Sequence, residues 1–249
     1  MMTLKVEHIV GGYSQIPVLN DVSFDVANGE LVGLIGLNGA GKSTTINHII
    51  GLLTPFKGSI KIDGVSLQQD SEKYKSQIAY IPETPVLYDE LTLKEHLELT
   101  MTAYSLEPKA AWQRVNALLK IFRLDNKLDW FPANFSKGMK QKVMICSAFM
   151  TQAKLFIIDE PFYGLDPLAV RDLLTQIEAV KQRGAAVLMS THVLDTAEKY
   201  CDRFVLLANG QIKAKGTLNE LRQLGDGKDE SLDDIYLSLA KEDLDGKTV

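Results

Sequence analysis

The chain is short of almost everything that would mark a secreted, membrane-spanning or nucleic-acid-coating protein. It has two cysteines in 249 residues, Cys146 and Cys201. Neither sits at metal-ligand spacing, so a disulfide framework and a cysteine-held metal are excluded, and buried structural thiols in a reducing compartment are expected. No apolar run approaches the ~18–20 residues that a membrane-spanning helix needs. The opening Met1-Met2-Thr3-Leu4-Lys5-Val6-Glu7 is not followed by the apolar core of a secretion signal. The chain therefore reads as soluble and cytosolic, and any work at a membrane requires another polypeptide to cross it. Internal repeats and low-complexity segments are missing. Excess charge is also scarce: 27 basic and 32 acidic residues leave -5, which counts against a nucleic-acid partner held by bulk electrostatics.

That small imbalance is localised. Residues 1–225 hold 24 charges of each sign, while 226–249 hold eight acidic and three basic residues. The reading is a neutral body (1–225) and an acidic C-terminal tail (226–249) carrying a short helix around Leu232–Leu239. As a regulatory or a merely solubilising segment, the tail stays open.

A hydrophobic content of 45% allows a sizeable core, and the length suits one large domain with a lobe. Short alternating pieces over residues 3–32, punctuated by Gly11-Gly12 and Asn28-Gly29, read as antiparallel strands. Leu31–Ile35, Leu155–Ile158 and Ala186–Met189 are continuous apolar runs, as expected of parallel strands buried on both faces. Lys42 to Leu53 reads as a helix. Between Pro85 and the second apolar run, three amphipathic helices are expected within about 86–152. The first begins at Thr92, which with Glu95 forms a capping box. Another helix has Pro167 in its first turn and Gly184 past its end. Asn209-Gly210 marks a hairpin. The fold expected is α/β.

Gly36-Leu37-Asn38-Gly39-Ala40-Gly41-Lys42-Ser43 fits G-x-x-x-x-G-K-[ST] between a buried strand and a helix. Such a loop turns its amides inward and adds the positive end of the helix, so it cradles phosphates. Lys42 is expected to reach the β- and γ-phosphates and the Ser43 hydroxyl to ligate Mg²⁺, with Thr44 next in the helix. Asp159 and Glu160 follow four apolar strand residues, where two carboxylates are costly to desolvate without a cation. Mg²⁺ at Asp159 and a water polarised by Glu160 answer that cost. His192 leaves the end of another strand, after a Ser190-Thr191 turn. Alone, a histidine there is more often structural. Its interest is topological, because ligand sites of open parallel sheets gather at strand carboxyl ends. Phe135-Ser136-Lys137-Gly138-Met139-Lys140-Gln141-Lys142 opens the third helix with an N-cap serine and three lysines. It reads equally well as a second anion site or as a solvated basic helix end.

The ordered set of these motifs resembles the ATP-binding cassette ATPases, from about Leu4 to Thr217. The third-helix segment resembles the signature motif, with Lys137 where the first signature glycine is usual and Met139 where glutamine is usual. The resemblance implies a P-loop NTPase with a mostly parallel central sheet, an N-terminal antiparallel β subdomain and an inserted helical subdomain. It implies ATP and Mg²⁺ as ligands. Tyr13 would stack on adenine, and Asn38, Gly39, Ala40, Gly41, Lys42, Ser43 and Thr44 would line the phosphates. Ser136 and Gly138 would approach a second phosphate face. Glu160 would be the catalytic base, His192 the histidine on the γ-phosphate, and Asp166 the aspartate communicating across a dimer.

Two departures accompany this pattern. Glu83 replaces a glutamine that contacts Mg²⁺ and senses the membrane partner. Tyr163 replaces a small residue. The resemblance further implies two cassettes joined head to tail, so that a lone chain binds ATP but hydrolyses it poorly. It also implies an integral membrane subunit that brings the chain to the inner face of the cell membrane. The C-terminal segment resembles that of cassettes serving ABC-2-type exporters. The apolar stretch Thr84-Pro85-Val86-Leu87-Tyr88 is expected to help receive the membrane subunit. A soluble cassette ATPase acting on ribosomes or DNA usually has two cassettes or a long coiled-coil insert, and neither is visible here. A regulatory cassette is the remaining alternative.

Overall fold

The computed structural model describes residues 2–224 and 230–245. The first half runs β1 (Met2–Tyr13), β2 (Ile16–Ala27), β3 (Leu31–Ile35), α1 (Lys42–Ile49), β4 (Lys57–Ile62), β5 (Val65–Ser66), α2 (Ser71–Ser76) and β6 (Ile78–Ile81). Three helices follow, α3 (Leu93–Ala103), α4 (Pro108–Phe122) and α5 (Lys137–Phe149). The chain then forms β7 (Leu155–Asp159), α6 (Pro167–Gln182), β8 (Ala186–Thr191), α7 (Leu194–Tyr200), β9 (Arg203–Ala208), β10 (Gln211–Gly216), α8 (Leu218–Arg222) and α9 (Leu232–Asp245).

Two sheets result. The central one has the order β10-β9-β3-β8-β7-β6 and is parallel except for the edge strand β10. The other, β2-β1-β4-β5, is antiparallel. Successive side chains of a strand point to opposite faces, and here both faces are covered. Val32, Leu34, Ile157 and Leu188 pack with α1 and the antiparallel sheet. Leu31, Ile158, Val187 and Met189 pack under α3 to α6. Burial on both sides is the reason these strands read as unbroken apolar runs.

Helix boundaries follow local chemistry. Thr92 and Glu95 satisfy each other's orphan amides at the start of α3. Pro167 sits in the first turn of α6, and Asp166 caps it by accepting from the Ala169 amide.

Four boundaries differ from the sequence reading. The first hairpin turns at Ser14–Gln15, both at positive φ (47° and 67°), and not at Gly11-Gly12. The glycine pair lies inside β1, where the register with β2 shifts as in a bulge. Ser190 and Thr191 are the last residues of β8 and not a turn. Helix α1 ends at Ile49, short of Leu53. The C-terminal helix is longer than expected, reaching Asp245. The boundary near Gly225 and the acidic Asp226 and Asp229 lie outside the described residues. Both cysteines are free, and burial pushes the Cys201 thiol up to about 12, so neither serves as a nucleophile.

Candidate functional site

The carboxyl ends of β3, β7 and β8 lie side by side in the central sheet, and each delivers one part of the site. From β3 comes the loop 36–41. Gly41 is the N-cap of α1 at φ 109° and ψ 7°, a backbone shape that a side chain would strain. No side chain caps α1, so its first amides are left for an external anion. Lys42 is only 6% exposed and curls back into the loop. Its Nζ donates to the Gly36 carbonyl at 2.7 Å and to that of Leu37 at 3.5 Å.

From β7 come Asp159 and Glu160. Asp159 is buried, and Oδ1 accepts a hydrogen bond from the Ser190 hydroxyl. Desolvation holds its carboxyl above the usual carboxylate range, against the Ser190 hydrogen bond, with the charges of Glu160 and Glu83 adding to the rise. Such a group is stabilised by a cation. Glu160 sits at φ 44°, in the left-handed region, and its amide donates to the Ser190 backbone and hydroxyl oxygens. Its Oε2 accepts from the His192 amide at 3.3 Å and lies 2.9 Å from His192 Nδ1. Its Oε1 is buried without a hydrogen-bond partner. It lies 3.4 Å from Lys42 Nζ, an ion pair lacking hydrogen-bond geometry. From β8, Ser190 holds the Asp159 carboxylate and the Glu160 amide, a role without any signal in the sequence because serine at a strand end is unremarkable. His192 follows, half exposed at 53% of its side chain.

Gly41, Lys42, Glu160 and His192 line one cavity of 460 Å³ together with Tyr13, Asn38, Gly39, Ser43, Thr44, Glu83 and Tyr163, while Asp159 and Ser190 are buried behind its wall. Tyr13 keeps 48% of its surface exposed, and its hydroxyl accepts from Asn47 at 3.3 Å. Glu83 follows Pro82, whose carbonyl accepts from the buried Gln141 amide of α5 at 3.1 Å. Ala40 is buried beneath the loop.

Ser136, Gly138 and Asp166 do not line this cavity. Ser136 caps α5, accepting from the Met139 amide at 3.2 Å. A Cβ on Gly138 would meet the Gly164 carbonyl oxygen at 2.5 Å, so only glycine lets α5 approach the 160–166 loop so closely. Asp166 pairs with Lys142 at 2.8 Å, and that bond, with the Ala169 amide, holds its carboxyl below the usual range. Two of the four departures from the family pattern meet each other: Lys137 Nζ lies 3.9 Å from the centre of the Tyr163 ring.

A family model for the ABC transporter matches residues 19–163. The chain belongs to the ABC transporter ATP-binding subunits. It is 58% identical, over 98% of both chains, to the ABC-type transporter ATP-binding protein EcsA of Bacillus subtilis (strain 168). It is 34% identical to the Nod factor export ATP-binding protein I of Rhizobium meliloti (strain 1021), covering 86% of this chain and 64% of that one. A solved structure of the ATP binding subunit of an ABC transporter superposes with a TM-score of 0.93 at 55% identity, over 95% of this chain and 99% of that one. The fold expected from the sequence is thus the cassette fold, a P-loop NTPase. The chain is an ATPase subunit that powers a membrane transporter. Cassette subunits of this kind dimerise and work with membrane subunits, and among the described residues no helix is long and apolar enough to cross a membrane.

Proposed function

We propose that this chain drives an exporter by hydrolysing ATP at the cavity between β3, β7 and β8, with Glu160 as general base. The observation that carries this is the placement of Glu160 in the cavity wall beside Lys42 and His192: His192 holds Oε2, and Oε1 is ion-paired with the Lys42 ammonium at 3.4 Å. Once Lys42 turns to the phosphates, Oε1 would be released to accept a proton from an attacking water. Lys42 would leave the Gly36 carbonyl for the β- and γ-phosphates, and Tyr13 would offer its open face to adenine.

Mg²⁺ suits the donor set. Ser43, Asp159 and Glu83 offer hard oxygens, and the raised pKa of Asp159 reflects a carboxylate in need of a cation. When bound, Mg²⁺ would neutralise charge on the β- and γ-phosphate oxygens. Glu160→Gln is expected to keep ATP binding while slowing hydrolysis by ~10²–10⁴-fold. Undiminished turnover would remove Glu160 from the role.

Two copies would complete each site. Ser136 and Gly138 line no part of their own chain's cavity, which supports a head-to-tail pair in which α5 of one copy closes the cavity of the other, with Asp166 at the seam. The membrane subunit would dock near the start of α3. Val86 and Tyr88 are 75% and 62% exposed there, and Trp130 and Phe131, also exposed, precede α5 beside the same helix start. Leu87, in contrast, packs against the core, so Val86 and Tyr88 are the better crosslinking positions. Crosslinks from these two that never reach an integral membrane protein would overturn the docking surface. The export direction follows the Nod factor relative, and a stoichiometric ribosome or DNA partner on purification would contradict it.

A further inference from the structure

The phosphate loop has a support that no motif announces. Residues 230–236 return from the end of the chain and pack on the outside of the central sheet. Leu232, Ile235 and Tyr236 are buried against Ile35, Phe204, Leu206 and Leu221. A polar clamp fixes their start. Glu198 of α7 accepts from the Leu232 amide at 2.8 Å and from Arg222 at 3.2 Å, and Arg222 also donates to the Glu230 carbonyl at 2.8 Å.

At the far side of this docked segment the Tyr236 hydroxyl, 3% exposed, makes two hydrogen bonds of opposite sense. It donates to the Leu207 carbonyl of β9 at 3.2 Å and accepts from the Leu37 amide at 2.9 Å. The Leu37 amide belongs to the same peptide unit as the Gly36 carbonyl, which accepts the Lys42 ammonium at 2.7 Å. One face of that peptide therefore holds Lys42 and the other is held by Tyr236. Hydrogen bonds in series polarise one another, and together they set which way the peptide points.

We propose that Tyr236 is a positioning residue of the ATP site: through its hydroxyl the docked C-terminal helix fixes the Gly36–Leu37 peptide, and with it the shape of the phosphate loop and the resting place of Lys42. Phenylalanine at 236 keeps the ring but leaves the Leu37 amide and Leu207 carbonyl unpaired in a buried place. The peptide is then free to turn toward another partner, and the loop loses preorganisation that ATP must restore on binding. Because coupling between two sites is reciprocal, ATP must also tighten the docking of α9.

The inference rests on residues 36–43 being the phosphate loop, so Lys42→Ala serves as the separate check: unchanged ATP affinity in that variant would refute the loop assignment itself. Given that check, three readouts on the full chain test Tyr236. In Tyr236→Phe, amide hydrogen exchange at Leu37 speeds up and MgATP binding weakens about 2- to 10-fold. In the unaltered chain, saturating MgATP slows exchange of the α9 amides around Tyr236, and in Tyr236→Phe that slowing is lost. A residue that merely packs would lower the melting temperature and leave Leu37 exchange, ATP affinity and the ATP effect on α9 unchanged, and that result overturns the proposal. The third readout needs no variant in its first half, so it decides even if Tyr236→Phe were poorly folded.

Discussion

Two helices of this protein start with the chemistry of an anion site, and they are finished differently. Helix α1 has no side-chain cap, a buried lysine and a cavity in front of it. Helix α5 is capped by its own Ser136, and its first lysine lies over Tyr163. The first is complete but for its ligand. The second has its groups occupied within the chain and lines no part of the chain's own cavity. A helix start with unsatisfied amides and a desolvated cation binds an anion by itself. One whose donors are engaged becomes useful only when an outside phosphate displaces or joins those partners. That contrast is the physical content of a two-chain site.

The comparison can be broken most easily at α1. Lys42→Ala removes the buried ammonium proposed to reach the phosphates, and ATP affinity should fall about 10- to 100-fold, measured by equilibrium binding to the isolated chain. At α5 the expectation is the reverse. Ser136→Ala should leave ATP affinity of the isolated chain unchanged, reduce turnover in the assembled transporter, and lower stability by ~1 kcal/mol through the lost cap. An affinity loss in the isolated chain equal to that of Lys42→Ala would erase the distinction. A stability change of opposite sign is expected between the two helices. Asp159→Asn removes a desolvated charge whose pKa is raised, so the nucleotide-free protein should gain stability, by ~1 kcal/mol or roughly 2–4 °C, while hydrolysis is lost. Calorimetry without nucleotide checks it, and a lower melting temperature would mean that the Ser190 hydrogen bond outweighs desolvation.

The same contrast explains what could be read from the sequence. The phosphate loop, the Asp159-Glu160 strand end, the Thr92 capping box and the Pro167 helix start are local patterns. Each carries its geometry in a few neighbouring residues, so each is legible in the chain alone. The misplacements arose where local and tertiary preferences diverge. Ser14 and Gln15 adopt positive φ although glycines stand close by, because strand pairing decides where the chain turns. Ser190 and Thr191 are polar but extended, because Ser190 pairs with Asp159 of β7 and Thr191 with Ile35 of β3. Pairings between distant segments had no signal at all. Lys137 with Tyr163, Gln141 with the Pro82 carbonyl, and Tyr236 with the Leu37 amide, 199 positions away, depend on how the elements pack and on nothing in their spacing. Two of the three involve residues that depart from the family pattern or lie beyond it, so the local variations of this cassette are tied together in space.

The central claim is that each ATP needs α1 of one chain and α5 of another. It is tested most directly by mixing two inactive chains in the assembled transporter, one carrying Lys42→Ala and the other Ser136→Asp, each shown by melting to be folded. Aspartate still caps α5 and spares the Gly138–Gly164 contact, while setting a negative charge against the second phosphate face. A mixed pair then holds one cavity with an intact loop facing an intact α5, and hydrolysis should reappear at a fraction of the unaltered rate. If the mixture stays as inactive as either chain alone while mixed pairs demonstrably form, the loop and α5 of a single chain must serve the same ATP, and the two-chain site is wrong.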